Sequence, residues 1–209
     1  MTALVRPSKI VCVGRNYLAH AKELGNEVPA LPLLFLKPPS AVIGHGDPIV
    51  LPSTSRQVEY EAEIGVVIGQ RLRQVPEAEA MAGVAGFVCL NDVTCRDLQK
   101  TDGQWGRAKG YDTFCPVGPA VARGLDWRGL EVIGRVNGEV RQRAPATEMH
   151  FSIPYLISFI SGIMTLEPGD LIATGTPAGV GPLHHGDVVE VEIPGVGILS
   201  NPVQDGARS

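Results

Sequence analysis

The fold of this chain is built on Val58-Glu59-Tyr60-Glu61-Ala62-Glu63-Ile64-Gly65-Val66-Val67-Ile68-Gly69. Its second half, Ile64 to Ile68, is apolar and β-branched, which predicts a buried strand. Because side chains alternate along a strand, Glu61 and Glu63 point to the same face, with Cα atoms roughly 6.5–7 Å apart. Two carboxylates facing the interior would repel each other and lose hydration unless a cation lay between them.

A hard divalent cation with oxygen ligands would satisfy this pair of glutamates. Mg²⁺ typically takes one or two protein carboxylates together with water and substrate. The alternative is that the two side chains lie on the solvent-exposed face of an ordinary amphipathic strand. The stretch itself leaves both interpretations open, and other parts of the chain favour the first.

Length and composition limit the class of protein. With 209 residues, 44% of them hydrophobic, the chain is long enough for one large domain, and we expect a single domain over residues 1–209. The net charge of −4, without a basic run, argues against nucleic acid as a partner. No segment approaches the roughly 20 apolar residues of a membrane span. Residues 1–9 lack the apolar core of a signal peptide, so we predict a cytoplasmic protein.

The abundance of turn-forming residues favours a β-rich fold with few long helices. The chain has 25 glycines and 17 prolines, and its candidate strands are short. Asn137-Gly138 between two strand-like runs predicts a hairpin with a type I′ turn, and Ser152 is a candidate cap for a buried helix. Four cysteines show neither CxxC spacing nor zinc-like histidine neighbours, so we expect them to be reduced and structural: Cys12, Cys89, Cys95 and Cys115.

A helix is predicted directly after the first strand. Lys9 to Gly14 is a short apolar run that predicts a buried strand, and residues 15–25 suit a helix. Asn16 is a candidate N-cap, and Gly25 is a natural residue at which the helix would end.

This helix carries a histidine and a glutamate on one face. His20 and Glu23 are three residues apart, so their side chains are neighbours. A carboxylate that accepts a hydrogen bond from one imidazole nitrogen fixes the tautomer and makes the other nitrogen a better base. The alternative is a surface pair on a solvated helix. The segment of about residues 15–30 is bounded by glycine and proline, so it could act as a lid over a site.

Three further features suggest a polar cleft. The apolar run Gly86 to Asn91 leads directly into Asp92, which places this carboxylate at a strand end. Lys109 is flanked by aromatic residues and glycines, which indicates a packed loop rather than an ordinary surface lysine. The glycine-rich loop at residues 175–181 fits neither a Walker loop nor a dinucleotide fingerprint. Its amides and hydroxyls could still hold a carboxylate or a ligand oxygen.

Taken together and in this order, the motifs resemble the fumarylacetoacetate hydrolase family. The resemblance covers about residues 9–196 and corresponds to the catalytic domain of that family. The motifs that carry it are Gly14-Arg15-Asn16-Tyr17 with His20 and Glu23, Phe35-Leu36-Lys37-Pro38, Glu61-x-Glu63, Asn91-Asp92-Val93-Thr94-x-Arg96-Asp97-x-Gln99, Lys109, Asp112-Thr113-Phe114-Cys115-Pro116 and Thr174-Gly175-Thr176-Pro177-x-Gly179-Val180-Gly181.

The resemblance implies an α+β fold, a mixed β-roll or sandwich with short helices. It also implies a homodimer that binds Mg²⁺ or Mn²⁺ and a small 2-oxo or dicarboxylic acid. Carried over position by position, it implies a metal site at Glu61, Glu63 and Asp92, a catalytic group of His20, Glu23 and Lys109, and substrate-binding residues Arg15, Arg96, Gln99 and Thr176.

The chemistry of these residue types is consistent with that assignment. Three carboxylates around a divalent ion carry a net charge of about −1, and a chelating 2-oxo acid adds more, which Lys109 and Arg96 would offset. The ion acts as a Lewis acid toward the 2-oxo oxygen. We expect hydrolysis of a C–C bond in a 2-oxo or β-diketo acid, in the acylpyruvase manner. The alternatives are oxaloacetate decarboxylation, isomerisation of 2-hydroxyhepta-2,4-diene-1,7-dioate and, in another class, a non-catalytic metabolite-binding protein.

Overall fold

The computed structural model describes residues 7–23, 25 and 27–206. Its strands are β1 (Ile10–Gly14), β2 (Leu33–Lys37), β3 (Val42–Ile43), β4 (Ile49–Leu51), β5 (Val58–Tyr60), β6 (Ala62–Ile68), β7 (Val84–Asn91), β8 (Thr94–Cys95), β9 (Cys115–Pro116), β10 (Glu131–Val136), β11 (Glu139–Pro145), β12 (Leu171–Ala173), β13 (Gly181–Pro182), β14 (Val188–Ile193) and β15 (Gly197–Asp205). Its α-helices are α1 (Leu18–Glu23), α2 (Glu77–Ala80), α3 (Arg96–Asp102), α4 (Gly106–Lys109) and α5 (Ile153–Ile163). Short 3₁₀ turns lie at Pro39–Ala41, Met81–Gly83, Trp127–Gly129 and Ala146–Glu148.

A mixed five-stranded sheet contains β6, the strand that carries Glu63, between β12 and β7. Its order is β2-β1-β12-β6-β7, in which only the β1–β12 pair is parallel. Every residue of β6 is buried, in keeping with its apolar, β-branched sequence. Ala62 pairs with Asn91 at the end of the β6–β7 ladder, and the amide of Asp92 donates to the Glu61 carbonyl at 2.9 Å. This register places Glu61 and Asp92 side by side.

A second five-stranded sheet, of order β11-β10-β14-β15-β4, packs against the first. Ile64 and Val66 from β6 belong to the same buried cluster as Val191 and Leu199 from the second sheet. Helix α5 contributes its own apolar side chains to that cluster. Two small sheets, β13-β5-β8 and β3-β9, complete the arrangement. The prediction of an α+β fold with mixed sheets and short helices is confirmed.

Predictions that rest on local chemistry agree with the structure. Asn137 and Gly138 both have positive φ, 53° and 81°, as the type I′ turn requires. The Ser152 hydroxyl accepts from the Tyr155 amide and caps α5. All four cysteines are buried and free. Over the described ranges, none of the helices has the length and apolar character needed to cross a membrane.

The helix predicted over residues 15–25 is shorter than expected. Helix α1 begins at Leu18, and Leu24 and Asn26 lie outside the described residues. The role of Asn16 as an N-cap was wrong. Its side-chain amide donates to the carbonyls of Phe151 and Thr174, and its oxygen accepts from the Phe151 amide. Asn16 therefore joins the segment before α1 to two distant parts of the chain.

Candidate metal centre and active site

Three buried carboxylates meet at the end of the central sheet. Glu61 lies between β5 and β6, Glu63 is on β6, and Asp92 follows β7. One oxygen from each lies within 4.8 Å of the other two. Their residues are 4%, 2% and 1% exposed, so the alternative of a solvent-facing strand is wrong.

The Lys109 ammonium lies among these carboxylates. The short helix α4 carries it into the interior, where Nζ donates to Glu61 Oε2 at 2.8 Å, Asp92 Oδ2 at 2.7 Å and Thr94 Oγ1 at 2.8 Å. The ammonium also lies 4.8 Å from the centre of the Phe35 ring. Burial opposes its charge, but the neighbouring Asp92 and Glu61 raise the pKa of Lys109 above its ordinary value. Lys109 is thus a buried charged partner of the cluster.

Arg96 forms a second cationic contact with the cluster. Its Nε donates to Glu59 Oε2 at 2.7 Å and one Nη donates to Glu61 Oε1 at 2.7 Å. The other Nη donates to Gln99 Oε1 at 2.6 Å. Hydrogen bonds on three nitrogens fix the planar guanidinium at the wall of the cleft.

Lys37 is a buried contact of the carboxylate cluster to which the sequence analysis gave no role. It is 1% exposed, and its Nζ donates to Asp92 Oδ1 at 2.6 Å and to the Val93 carbonyl at 3.1 Å. In the sequence analysis it stood only within the family motif Phe35-Leu36-Lys37-Pro38, directly after the apolar run Leu33 to Leu36. Asp92 is therefore held by two buried ammonium groups, one on each carboxylate oxygen.

The two glutamates of the cluster have opposite pKa shifts. Burial favours the neutral acid at Glu61, but the charges of Lys109 and Arg96 outweigh it and hold the pKa of Glu61 well below its ordinary value. At Glu63, burial and the nearby carboxylates of Asp92 and Glu61 raise the pKa well above its ordinary value. Glu63 is therefore the glutamate whose charge its surroundings disfavour, although Lys109 and the Gly175 amide act in the opposite direction.

This arrangement fits a divalent cation. The donors are hard oxygen ligands from three carboxylates, the set that Mg²⁺ and Mn²⁺ prefer. A cation would also compensate the charge of Glu63, whose carboxylate accepts from the Gly175 amide at 2.8 Å and from none of the cationic side chains in the described part of the chain. Glu61, Glu63 and Asp92 are the residues that would hold it.

The predicted histidine–glutamate pair faces the same cleft. His20 is 5% exposed, and its Nδ1 lies 3.4 Å from Glu23 Oε2. Burial lowers the pKa of His20, while Glu61 and Glu23 act in the opposite direction. Because Glu23 accepts from Nδ1–H in this arrangement, Nε2 is the nitrogen left free to take a proton.

A cleft of about 1060 Å³ brings the candidate residues together. All ten residues to which the sequence analysis gave a role line it, and their individual roles stay predictions. They are Arg15, His20, Glu23, Glu61, Glu63, Asp92, Arg96, Gln99, Lys109 and Thr176. Arg15 has a left-handed φ of 59°. Part of the cleft lining is apolar, with Phe35 packed edge-on against Trp105 and their ring centres 5.2 Å apart.

Gln142 holds the glycine-rich loop at residues 175–181 in place. The sequence analysis did not identify this residue. Its amide group donates to Thr176 Oγ1 and to the Pro177 carbonyl, both at 2.7 Å, and its oxygen accepts from the Ala62 amide at 2.9 Å. The Thr176 hydroxyl in turn donates to the Ala62 carbonyl at 2.9 Å. Gln142 thus ties the loop to the first residue of β6, beside Glu61 and Glu63.

Comparisons with known proteins give the same family. A family model described as fumarylacetoacetate (FAA) hydrolase C-terminal matches residues 9–204. The mitochondrial oxaloacetate tautomerase FAHD1 of Arabidopsis thaliana is 47% identical over 195 residues, which cover 90% of this chain and 87% of that protein. The solved 2-hydroxyhepta-2,4-diene-1,7-dioate isomerase from Mycobacterium marinum has a TM-score of 0.91 at 46% identity, covering 98% of this chain and 77% of that one.

A more distant solved structure contains ligands. Fumarylpyruvate hydrolase from Pseudomonas aeruginosa, in complex with Mn²⁺ and pyruvate, has a TM-score of 0.89 at 33% identity, covering 95% of this chain and 90% of that one. The family model spans nearly the whole chain, and the relatives match at high identity over most of their own length. The chain belongs to the fumarylacetoacetate hydrolase family.

Proposed function

We propose that this chain is an enzyme dependent on Mg²⁺ or Mn²⁺ that moves a proton at the carbon next to the 2-oxo group of a small dicarboxylic acid, as in the keto–enol interconversion of oxaloacetate. The observation that carries the proposal is the buried cluster of Glu61, Glu63 and Asp92 in one cleft with His20 and Glu23. The names of the relatives, an oxaloacetate tautomerase and a dienedioate isomerase, support it.

The proposed role of each side chain follows from its charge and position. A divalent ion, when bound, would supply Lewis-acid stabilisation of negative charge at the 2-oxo oxygen. His20 Nε2 takes the proton from the carbon next to the 2-oxo group and delivers it to the 2-oxo oxygen, or carries it back in the reverse reaction, while Glu23 holds the imidazole through Nδ1–H. Lys109 keeps the charge of the carboxylate cluster balanced while the substrate is bound.

The substrate's own carboxylates need cationic or neutral hydrogen-bond donors. Arg96 lines the cleft with its guanidinium fixed at three nitrogens, and Arg15 is half-buried at the same opening. Gln99 and Thr176 complete the polar wall. We assign these four residues to the binding and orientation of the acid.

Hydrolysis of a C–C bond in a 2-oxo or β-diketo acid is the second candidate, and it is the one that the sequence analysis put first. The similarity to a fumarylpyruvate hydrolase solved with Mn²⁺ and pyruvate favours it. The same His20 would then deprotonate a water rather than the substrate carbon. Oxaloacetate decarboxylation needs no such base.

A comparison of products separates these activities. The protein would be incubated with Mg²⁺ or Mn²⁺ and, in turn, enol-oxaloacetate, acetylpyruvate and a hydroxydienoate, with chelator-treated protein as control. The proposal predicts metal-dependent loss of the enol form without release of carbon dioxide. Faster cleavage of acetylpyruvate would establish the second candidate, carbon dioxide as the main product would establish a decarboxylase, and no turnover would favour a binding protein.

The pH dependence should reveal a base with a lowered pKa. Burial lowers the pKa of His20 below its ordinary value of 6.5, so the neutral, proton-accepting form persists to a lower pH. The midpoint of the acidic limb of the kcat/KM profile should therefore lie below pH 6.5. Glu23→Gln should move it further down, since the Glu23 carboxylate acts to raise that pKa. A limb above pH 7 in the unmodified protein would argue against His20 as the base.

The proposal also includes the homodimer that the family resemblance implies and the cytoplasmic location that the sequence analysis predicts. Relatives named as mitochondrial match this chain, so its location rests on the sequence expectation alone.

A further inference from the structure

We propose that Tyr60 and Gly179 are positioning residues for the His20–Glu23 pair. They form with Glu23 a chain of hydrogen bonds that we call the latch. The inference rests on the proposed function, in which His20 is the base. It adds two residues that do not line the cleft and that act on His20 only through Glu23.

The latch consists of consecutive contacts. The Tyr60 hydroxyl donates to the Gly179 carbonyl at 2.8 Å. The Gly179 amide donates to both carboxylate oxygens of Glu23, at 3.0 Å and 3.2 Å. The same carboxylate lies 3.4 Å from His20 Nδ1. A fixed backbone donor therefore determines where the carboxylate that orients the imidazole can lie.

The Gly179 end of the latch is anchored in the body of the protein. Gly179 has a φ of +101°, and a Cβ at this position would lie 2.0 Å from the Arg141 carbonyl oxygen, so only glycine fits. The Gln142 side-chain amide donates to the carbonyl of Pro177, two residues before Gly179. Tyr60 is itself paired with Gly181 in the small β13-β5-β8 sheet.

The Glu23 end needs such an anchor. Helix α1 has only six residues, too few to be stable by itself. Leu18, its first residue, is 50% exposed, and the Glu23 side chain is 34% exposed. Helical spacing puts His20 and Glu23 on one face, but it does not fix that face against the carboxylate cluster. The latch supplies this connection.

The kinetic test is Tyr60→Phe, which removes one hydroxyl and leaves the ring. We expect kcat, measured with whichever acid the unmodified protein turns over, to fall about 10- to 100-fold, the scale of a misplaced catalytic group. KM and the Mn²⁺ dissociation constant should stay the same. Tyr111→Phe is the matched control, because its hydroxyl contacts Thr54 Oγ1 at 2.7 Å, away from the latch, and this variant should keep its kcat.

A second readout does not depend on turnover. Amide hydrogen exchange in α1 and at Gly179, measured with Mg²⁺ present, should be faster in Tyr60→Phe than in Tyr111→Phe. Gly179→Ala should show the same acceleration and the same loss of kcat.

The possible outcomes separate the latch from the proposed function. An unchanged kcat with unchanged exchange in Tyr60→Phe would overturn the latch. A loss of kcat accompanied by an equal loss of Mn²⁺ affinity would also overturn it, since that indicates general damage. Faster exchange in a protein that turns over none of the acids would support the hydrogen-bond chain and contradict the proposed function.

Discussion

Replacing Glu63 with glutamine should abolish Mn²⁺ binding and, at the same time, stabilise the metal-free protein. Burial and two neighbouring carboxylates make the charged form of Glu63 unfavourable. A glutamine at this position keeps an oxygen for the Gly175 amide but carries no charge. We expect a gain of roughly 1–3 kcal/mol in the free energy of unfolding, the scale of an uncompensated buried polar group.

The gain should depend on pH. The raised pKa means that Glu63 contributes stability below pH 4.5, its ordinary pKa, and loses that contribution as the pH rises. The difference between Glu63→Gln and the unmodified protein should therefore be largest near neutral pH and shrink toward pH 4.5. Urea unfolding of chelator-treated protein at several pH values measures it, and calorimetric titration with Mn²⁺ measures the loss of binding.

Asp92→Asn is the matched comparison for this variant. It also removes one carboxylate of the cluster, so it should also lose Mn²⁺. Asp92, however, is bound by the ammonium groups of Lys37 and Lys109, and removing its charge leaves both without that partner. Breaking buried pairs of this kind costs about 3–5 kcal/mol. If Glu63→Gln destabilised the metal-free protein as Asp92→Asn does, the division between compensated and uncompensated carboxylates would be wrong.

Replacing His20 with alanine should leave the metal in place and remove most of the turnover. His20 is not among the three residues assigned to the metal, so the dissociation constant for Mn²⁺ should stay within about twofold. Loss of a general base lowers kcat by about two to four decades. His184→Ala, at a histidine 73% exposed and outside the cleft, serves as the control and should retain full activity.

The product measured with His20→Ala adds a further distinction. If carbon dioxide release from oxaloacetate were the main activity and persisted at full rate in this variant, the enzyme would be a decarboxylase. A full rate of enol conversion would instead remove His20 from the mechanism.

The parts of the fold and site that follow from local chemistry were predictable from the sequence. Alternation along the extended segment Glu61-Ala62-Glu63 placed the two glutamates on one face, because extended backbone fixes that geometry for near neighbours. The turn at Asn137-Gly138 and the cap at Ser152 were predictable for the same reason, since their residues act on backbone within a few positions.

Distant contacts to which the family motifs gave no role were not predictable. Lys37 reaches Asp92, 55 residues away, and Gln142 reaches Thr176, 34 residues away. Asn16 is a good N-cap by composition, but the backbone of Phe151 and Thr174 competes for its side chain. A single sequence gives no register between such segments, so it does not show which polar group meets which.

The central claim is that one divalent cation is held by Glu61, Glu63 and Asp92. Anomalous diffraction from crystals of this protein soaked in MnCl₂ tests it most directly. We expect one strong manganese peak at bonding distance from a carboxylate oxygen of each of the three residues. If crystals grown from active protein showed no peak among these three side chains, or showed the peak at another group of ligands, the claim would be contradicted.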